Sequence, residues 1–418
     1  MRAHWLRWLD AIQTGFWFVP LVMMFLSFVL ALGCVRLDEV WDPGIKAGLA
    51  WAYTGGPSGA RSLLSTIAGS MITAASVTFS LASVALSIAS QQYGSRVLRN
   101  FMRDKVTQFL LGTFVSTFLY SVMVVRAIRG SDYGGGFVPS ISVTVAIGLS
   151  VASLVLLVYF IHHVSTSIQA SRIISVIAAE ITKAVPRLYP SGIGQASRDE
   201  ESLARLDEGA GTTTAIHSTG YLQTIDLDGL MEIAVRRDLM FEILCLPGAH
   251  LIDGMNIARV YGNAVLEQED LKKLVDAFSL GSVRTPAQDI RYPFQQLTDV
   301  VVRALSPGIN DPFTAINGID ELCAGLSAMA RQERIDEFRQ DEKGRLRLVV
   351  PRVTIGGILR DTVGHIAIYA AGDHFVMDGL RRVLDVVEPD LKMQENLTSV
   401  RALREELDRR QKAKEDAP

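Results

Sequence analysis

The chain has 418 residues, 49% of them hydrophobic, a formal net charge of −3 and a mean hydropathy of +0.25. Its charges are uneven: residues 1–165 hold 11 Lys/Arg and 6 Asp/Glu, while residues 166–418 hold 30 and 38. That pattern excludes a plain cytosolic enzyme, a disordered chain and a basic nucleic-acid binder, and it divides the molecule into an apolar half and a charged half.

Four stretches of the apolar half, 11–35, 62–95, 106–125 and 133–171, contain no Asp, Glu, Lys or Arg. Each is long enough to cross the hydrocarbon of a bilayer, which takes about 20 residues of helix. In that solvent every backbone polar group must be satisfied within the segment, so the spans are read as helices, at about 15–34, 63–90, 106–126 and 137–162. The fold class expected is an α-helical membrane domain of four transmembrane helices followed by a cytoplasmic α+β domain. Its divisions are a four-span domain over 1–165, a helical extension over 166–189, a linker over 190–212, the α+β domain over 213–388 and a charged helical tail over 389–418.

Lys and Arg near the span ends set the orientation. Arg2 and Arg7 precede the first span, and Arg96, Arg99, Arg103 and Lys105 face one acid, Asp104, between the second and third. Both places are expected in the cytoplasm. The first loop, with Arg36, Lys46 and Arg61 against Asp38, Glu39 and Asp42, is near neutral and expected outside. Arg126 and Arg129 fall outside as well and run against the rule. Four spans return the C-terminal half to the side of the N-terminus, so both termini of this multi-pass protein are expected in the cytoplasm.

The second span carries a pattern of its own. Thr66, Ser70, Thr73, Ser76, Ser80, Ser83, Ser87 and Ser90 recur at gaps of three or four, so all eight lie on one face of a helix over roughly 36 Å. Two readings are open. Small and hydroxyl side chains let helices approach closely and bond across the contact. Alternatively, copies of this helix surround an axis and the hydroxyls face water. No carboxylate lies within any of the expected spans, so a relay of the usual transporter kind has no residue to run on. The segment after the stripe, with Arg96, Arg99, Arg103 and Lys105, would stand at the inner mouth of such a path. His162-His163 closes the fourth span with no third ligand near it in sequence.

In the charged half, 168–188 continues the last span as a helix, and 190–212 reads as a linker. Strands are expected at 213–225, 239–246, 255–261, 281–284 and 345–353. Helices are expected at 226–237, 267–278, 289–305 and 355–387, the last broken at Gly372. Pro247 to Gly254 is a turn with two glycines, similar in backbone to the tight turns of biotinyl- or lipoyl-type modules but with no lysine at its tip. Ser306-Pro307-Gly308 stops one helix, and Asn310-Asp311-Pro312 restarts the next with Asp311 as cap and Pro312 in the first position. Arg303, Asn310, Asp311 and Thr314 also gather polar groups at that helix start, an alternative anion or partner site. Leu397, Val400, Leu403 and Leu407 recur at helical spacing in the tail, which is expected to be a solvated terminal helix or a partner contact. Phosphate-loop, zinc-protease and nucleophile-elbow motifs are missing from the sequence, and Cys34, Cys245 and Cys323 form no pairable set. His365 and His374, nine apart, could share a metal only if Gly372 bends the helix between them. An enzyme, a metal and a cofactor are therefore not expected.

Five separated segments resemble a known family. They are Ser65 to Thr73, Gln91 to Asp104, Gln108 to Phe114, Ser218 to Gln223 and Arg303 to Ala315, and together they look like the bacterial predicted-membrane-protein family known as domain of unknown function 2254. The resemblance covers about 10–385 and implies an inner-membrane protein with four spans and a cytoplasmic C-terminal region. It implies no activity. The function expected is a homo-oligomeric, channel-like protein, with a membrane-anchored interaction or sensor protein as the alternative. The partners expected are the lipid bilayer, further copies of the chain and a cytoplasmic protein, but no nucleic acid.

Overall fold

The computed structural model describes residues 17–40, 53–94, 104–129, 137–188, 211–262, 266–332, 337–370 and 372–415. The expected linker lies outside these residues apart from 211–212, as do Arg2, Arg7, Arg96, Arg99 and Arg103. The chain forms two compact units, Met1–Arg172 and Ile173–Pro418.

Four helices of the first unit are long and apolar enough to cross a membrane: α1 (Phe18–Val40), α2 (Pro57–Tyr93), α3 (Lys105–Ala127) and α4 (Ser140–Ser167). Helices α1, α2 and α4 run past their expected C-terminal ends. Helix α1 continues through Arg36, Asp38 and Glu39, because the buried Asp38 carboxylate has work at the far end of the bundle. It accepts the backbone N–H of Ile141 at 3.1 Å and of Ser142 at 2.9 Å, capping the start of α4 from a neighbouring helix. Helix α3 is the central element. Half of its most apolar window is buried, against about a fifth in each of the other three. Met71, Leu110, Phe114 and Phe160 form one cluster along it, and Leu64, Tyr120, Val124 and Val143 another.

The fourth span does not run straight into the next helix. Helix α4 ends at Ser167, and α5 (Ala170–Leu188) begins after a two-residue break. From Ile173 onward α5 belongs to the second unit, where its apolar face is buried through Ile174, Ile177 and Ile181.

The second unit holds two sheets. One has five strands in the order β1-β5-β3-β8-β7 and the other three in the order β4-β2-β6. They comprise β1 (Thr212–Ala215), β2 (Gly220–Ile225), β3 (Met240–Ile243), β4 (His250–Leu251), β5 (Asn256–Tyr261), β6 (Phe278–Gly281), β7 (Phe338–Gln340) and β8 (Leu346–Val349). The single strand expected at 213–225 is thus two strands in different sheets. The chain crosses over where Ile216 N–H bonds Met255 O and where Gly220 packs so near Gly281 O that a Cβ would stand 2.9 Å from it. The expected strand at 281–284 lies earlier, at β6. Leu222, Phe241, Leu251, Ile257 and Leu348 share one core cluster drawn from both sheets.

Helix α6 (Leu227–Arg237) begins at its expected cap, Asp226, whose carboxylate accepts Gly229 N–H. Helix α7 (Gln268–Asp276) contributes Asp270, which Arg236 and Arg237 each grip at 2.6 Å. Burial pushes the Asp270 carboxyl up, but the two guanidiniums outweigh it and hold the group below the usual range. Within the two-glycine turn, Gly248 has φ +93° and lies against the buried Asp289 carboxylate, where a Cβ would meet oxygen at 2.1 Å. Burial raises the Asp289 carboxyl, which Arg284 grips through two nitrogens.

Beyond the sheets, α8 (Arg291–Ala304) and α9 (Pro312–Arg331) pack closely where Gly318 meets Val301, and Gly325 admits Ile181 and Phe294. The helix expected over 355–387 is α10 (Ile355–Leu359), a π-helical turn at Arg360–Gly364, α11 (His365–Ala370) and α12 (His374–Val387), with the long break before His374. The tail helix α13 (Gln394–Glu415) is not solvated on all sides. Val400, Leu403 and Leu407 are buried, and Ser399 and Asn396 contact Gly356.

Candidate functional site

The eight hydroxyl residues of α2 lie away from the rest of the first unit. Thr66, Ser70, Thr73, Ser76, Ser80, Ser83 and Ser87 are exposed, and Ser90 is half-buried. The buried face of α2 is a different row, with Ala60, Leu64, Ala68, Met71, Ala75, Thr78, Ala85 and Ala89. At 100° per residue the two rows stand roughly opposite each other on the helix. Thr66, Thr73 and Ser76 donate to carbonyls four residues back at 2.8–2.9 Å. Among the described residues, the hydroxyls of Ser70, Ser80, Ser83 and Ser87 find no such acceptor.

Of the basic group next to the stripe, Lys105 opens α3, and Asp104 caps it by accepting Val106 N–H at 3.1 Å. By sequence, Asp104 is a lone acid among bases and His163 an interfacial histidine. The structure joins them: His163 Nε2 lies 2.8 Å from Asp104 Oδ2, which also accepts from Thr107 Oγ1 at 2.6 Å. Tyr159 stacks on the His163 ring at 6.0 Å, and Tyr93 OH donates to Ile168 O at 3.0 Å close by. A signal was present in the sequence, since an aspartate two residues before a charge-free run is a cap. Its histidine partner, 59 residues away, carried none.

The Arg303–Thr314 motif is built as a stop and restart. Asn310 takes the left-handed conformation at φ +48°, and Asp311 N–H bonds Ala304 O at 2.8 Å, turning the chain back on α8. Asp311 caps α9 and Pro312 is its first residue, as expected. The Asp311 carboxylate accepts Thr314 Oγ1 at 2.6 Å and Thr314 N–H at 3.1 Å, and these bonds hold it below the usual carboxylate range. The carboxylate occupies the position an incoming anion would need, so the motif serves the backbone. Arg303 is exposed, and its carbonyl accepts from Ser306 Oγ. Phe313, by contrast, is 81% exposed directly after the capping pair. A matching arrangement begins α12, where Asp373 caps and Phe375 is 79% exposed.

The remaining candidates do not converge. His365 meets the Tyr369 ring at 5.6 Å, and His374 Nδ1 lies 3.1 Å from Gln411 Nε2, so each histidine has its own neighbour. Among the described residues no three His, Cys, Asp or Glu side chains gather closely enough to hold a metal ion. Burial pushes the Cys245 thiol up to about 11, which makes it a poor nucleophile at neutral pH.

No solved structure matches the chain. It is 30% identical over 386 residues to an uncharacterised protein of Mycobacterium tuberculosis and to one of Mycobacterium bovis, covering 91% of this chain and 73% of each relative. The family model described as "Predicted membrane protein (DUF2254)" matches residues 13–386, which takes in all four apolar helices and the mixed α+β unit through most of α12. The chain belongs to this family of membrane proteins.

Proposed function

We propose that the protein is a homo-oligomeric, channel-like component of the bacterial inner membrane, without enzymatic activity. Copies of α2 surround a shared axis with the hydroxyl row toward it, Arg96, Arg99, Arg103 and Lys105 at the inner mouth, and the second unit in the cytoplasm as a gate or assembly domain. The observation that carries this reading is the outward direction of the row: seven of its eight residues are exposed, opposite the face that packs within the chain. Its spacing adds support. The average gap of about 3.4 residues is shorter than the 3.6 of a straight helix, and such a row keeps facing an axis when helices cross with a left-handed twist. The excess of Lys/Arg beside the inner ends of the spans favours both termini in the cytoplasm.

The test is proximity between copies. In a chain stripped of its native cysteines, Ser80→Cys and Ser83→Cys should form inter-subunit disulfides in native membranes, whereas Leu81→Cys, on a 43% exposed position about 100° round the helix from Ser80, should not. Equal cross-linking at all three, or none, would count against the axis.

The exposed Phe313 and Phe375 favour a second reading, a membrane-anchored protein whose cytoplasmic unit holds a protein partner. It requires that Phe313→Ser and Phe375→Ser abolish a specific cross-link in cells while the purified protein stays folded. A cross-link indifferent to both changes would remove this reading.

A further inference from the structure

A cavity of about 250 Å³ lies inside the first unit, between α2, the start of α3 and the end of α4. Its wall is apolar: Phe79, Ala82, Ala85 and Leu86 from α2, and Val164 and Ile168 at the end of α4. One end is polar, formed by the Asp104–His163 pair with Thr107 and Ser167. Among the described residues, no Lys or Arg side chain lines it. Phe79 and Ser83 are exposed at its edge, so the space is reached from the outer surface of the four-helix unit, while Ala85 is buried.

Cavities with apolar walls do not hold water well; one of about 150 Å³ stays dry and takes up benzene. The direction of this one is informative. Its polar groups sit where α3 begins and α4 ends, at the rim of the spans, and its apolar wall follows α2 toward the middle for about 10 Å. A membrane amphiphile lies in the same sense, with its head at the rim and its chain toward the midplane. The head is selected by Asp104. Its carboxylate accepts from Val106, Thr107 and His163 and has room for one more donor.

We infer that this cavity is a binding site for a single alkyl chain ending in a hydrogen-bond-donating head, an amine or a hydroxyl, and that it rejects a carboxylate head. The inference stands on the cavity alone and does not depend on the channel reading. The ligand chemistry is shared by a bilayer lipid with an amine head and by a free long-chain amine or alcohol.

The experiment uses the full-length protein in lipid nanodiscs and a decylamine carrying a photoreactive diazirine on its chain, with adducts mapped by mass spectrometry. Adducts should fall on 79–86 and 163–168. Decylamine or decanol should displace the probe at least about tenfold better than decanoate, the difference one charge-assisted bond supplies. Ala82→Leu, which fills the cavity, should suppress these adducts. Asp104→Asn should bring decanoate close to decylamine. Discs of phosphatidylethanolamine that suppress labelling relative to phosphatidylcholine assign the site to a bilayer lipid; equal labelling assigns it to a free amphiphile. Adducts spread over the exposed faces of α1 and α4 without displacement would overturn the inference, as would decanoate competing equally in the wild-type protein. The wild-type competition decides even where a variant does not fold.

Discussion

Helices α2 and α3 are both rich in hydroxyl side chains and aim them in opposite directions. On α3, Thr107, Thr113, Ser116, Thr117 and Ser121 are all buried. Ser27 reaches Ser116 O at 2.6 Å, and Thr117 lies 3.3 Å from Ser153 Oγ, so this helix bonds to α1 and α4 on either side. On α2 the hydroxyls of the row are exposed down to Ser87, and a face of alanines with Leu64, Met71 and Thr78 is buried instead. The difference teaches that hydroxyl periodicity in a span marks a face without saying what covers it. On α3 the answer lies within the chain; on α2 it lies outside it.

The largest effect that sharpens this contrast is expected at Asp38, which secures the buried side of the bundle. Asp38→Ala strands the N–H groups of Ile141 and Ser142 and should cost about 3 kcal/mol, read by reversible dodecyl sulfate unfolding in mixed micelles. A smaller effect is expected within the hydroxyl sets themselves. Ser121→Leu overpacks a site with 0% exposure and should cost about 2 kcal/mol, whereas Ser80→Leu should change the stability of the isolated subunit by no more than about 0.5 kcal/mol. If the two changes cost the same, the contrast between the helices fails. The smallest concerns the second unit, as a control away from the four apolar helices. Asp311→Ala removes a cap and should cost about 1 kcal/mol. Because the folded carboxyl lies below its unfolded value, that contribution is fully present above a pH of about 3.9 and is lost as pH falls through the lower folded value. Thermal melts of wild type and variant should therefore converge in acid, and a gap independent of pH would contradict the assignment.

The four spans were legible because charge-free runs of this length leave few alternatives. The caps at Asp226 and Asp311 and the break near Gly372 were legible because their signals are local. What was not legible depends on distant partners. Strands β3 and β8 pair in parallel across about a hundred residues, which no local pattern reports. The split of 213–225 depends on Gly281 and Met255, and the burial of the tail depends on Gly356 and Gly364. The α2 stripe could be read as a face, but its direction depends on which side of α2 meets α3. The Asp104–His163 pair was missed for the same reason, since only the meeting of α3 and α4 brings it together.

Water on the α2 row is the central claim, and cysteine accessibility reads it most directly. With Cys34, Cys245 and Cys323 replaced, single cysteines at 76, 80, 83 and 87 are compared with Thr78→Cys, on the buried face, and Leu81→Cys, exposed but off the row. The readout is the rate of labelling by a membrane-impermeant, water-soluble thiol reagent in membrane fragments open to both sides. Fast labelling at 76, 80, 83 and 87 with protection at 78 and 81 is the predicted result. Protection at all six positions would contradict it and make the row a dry contact between helices.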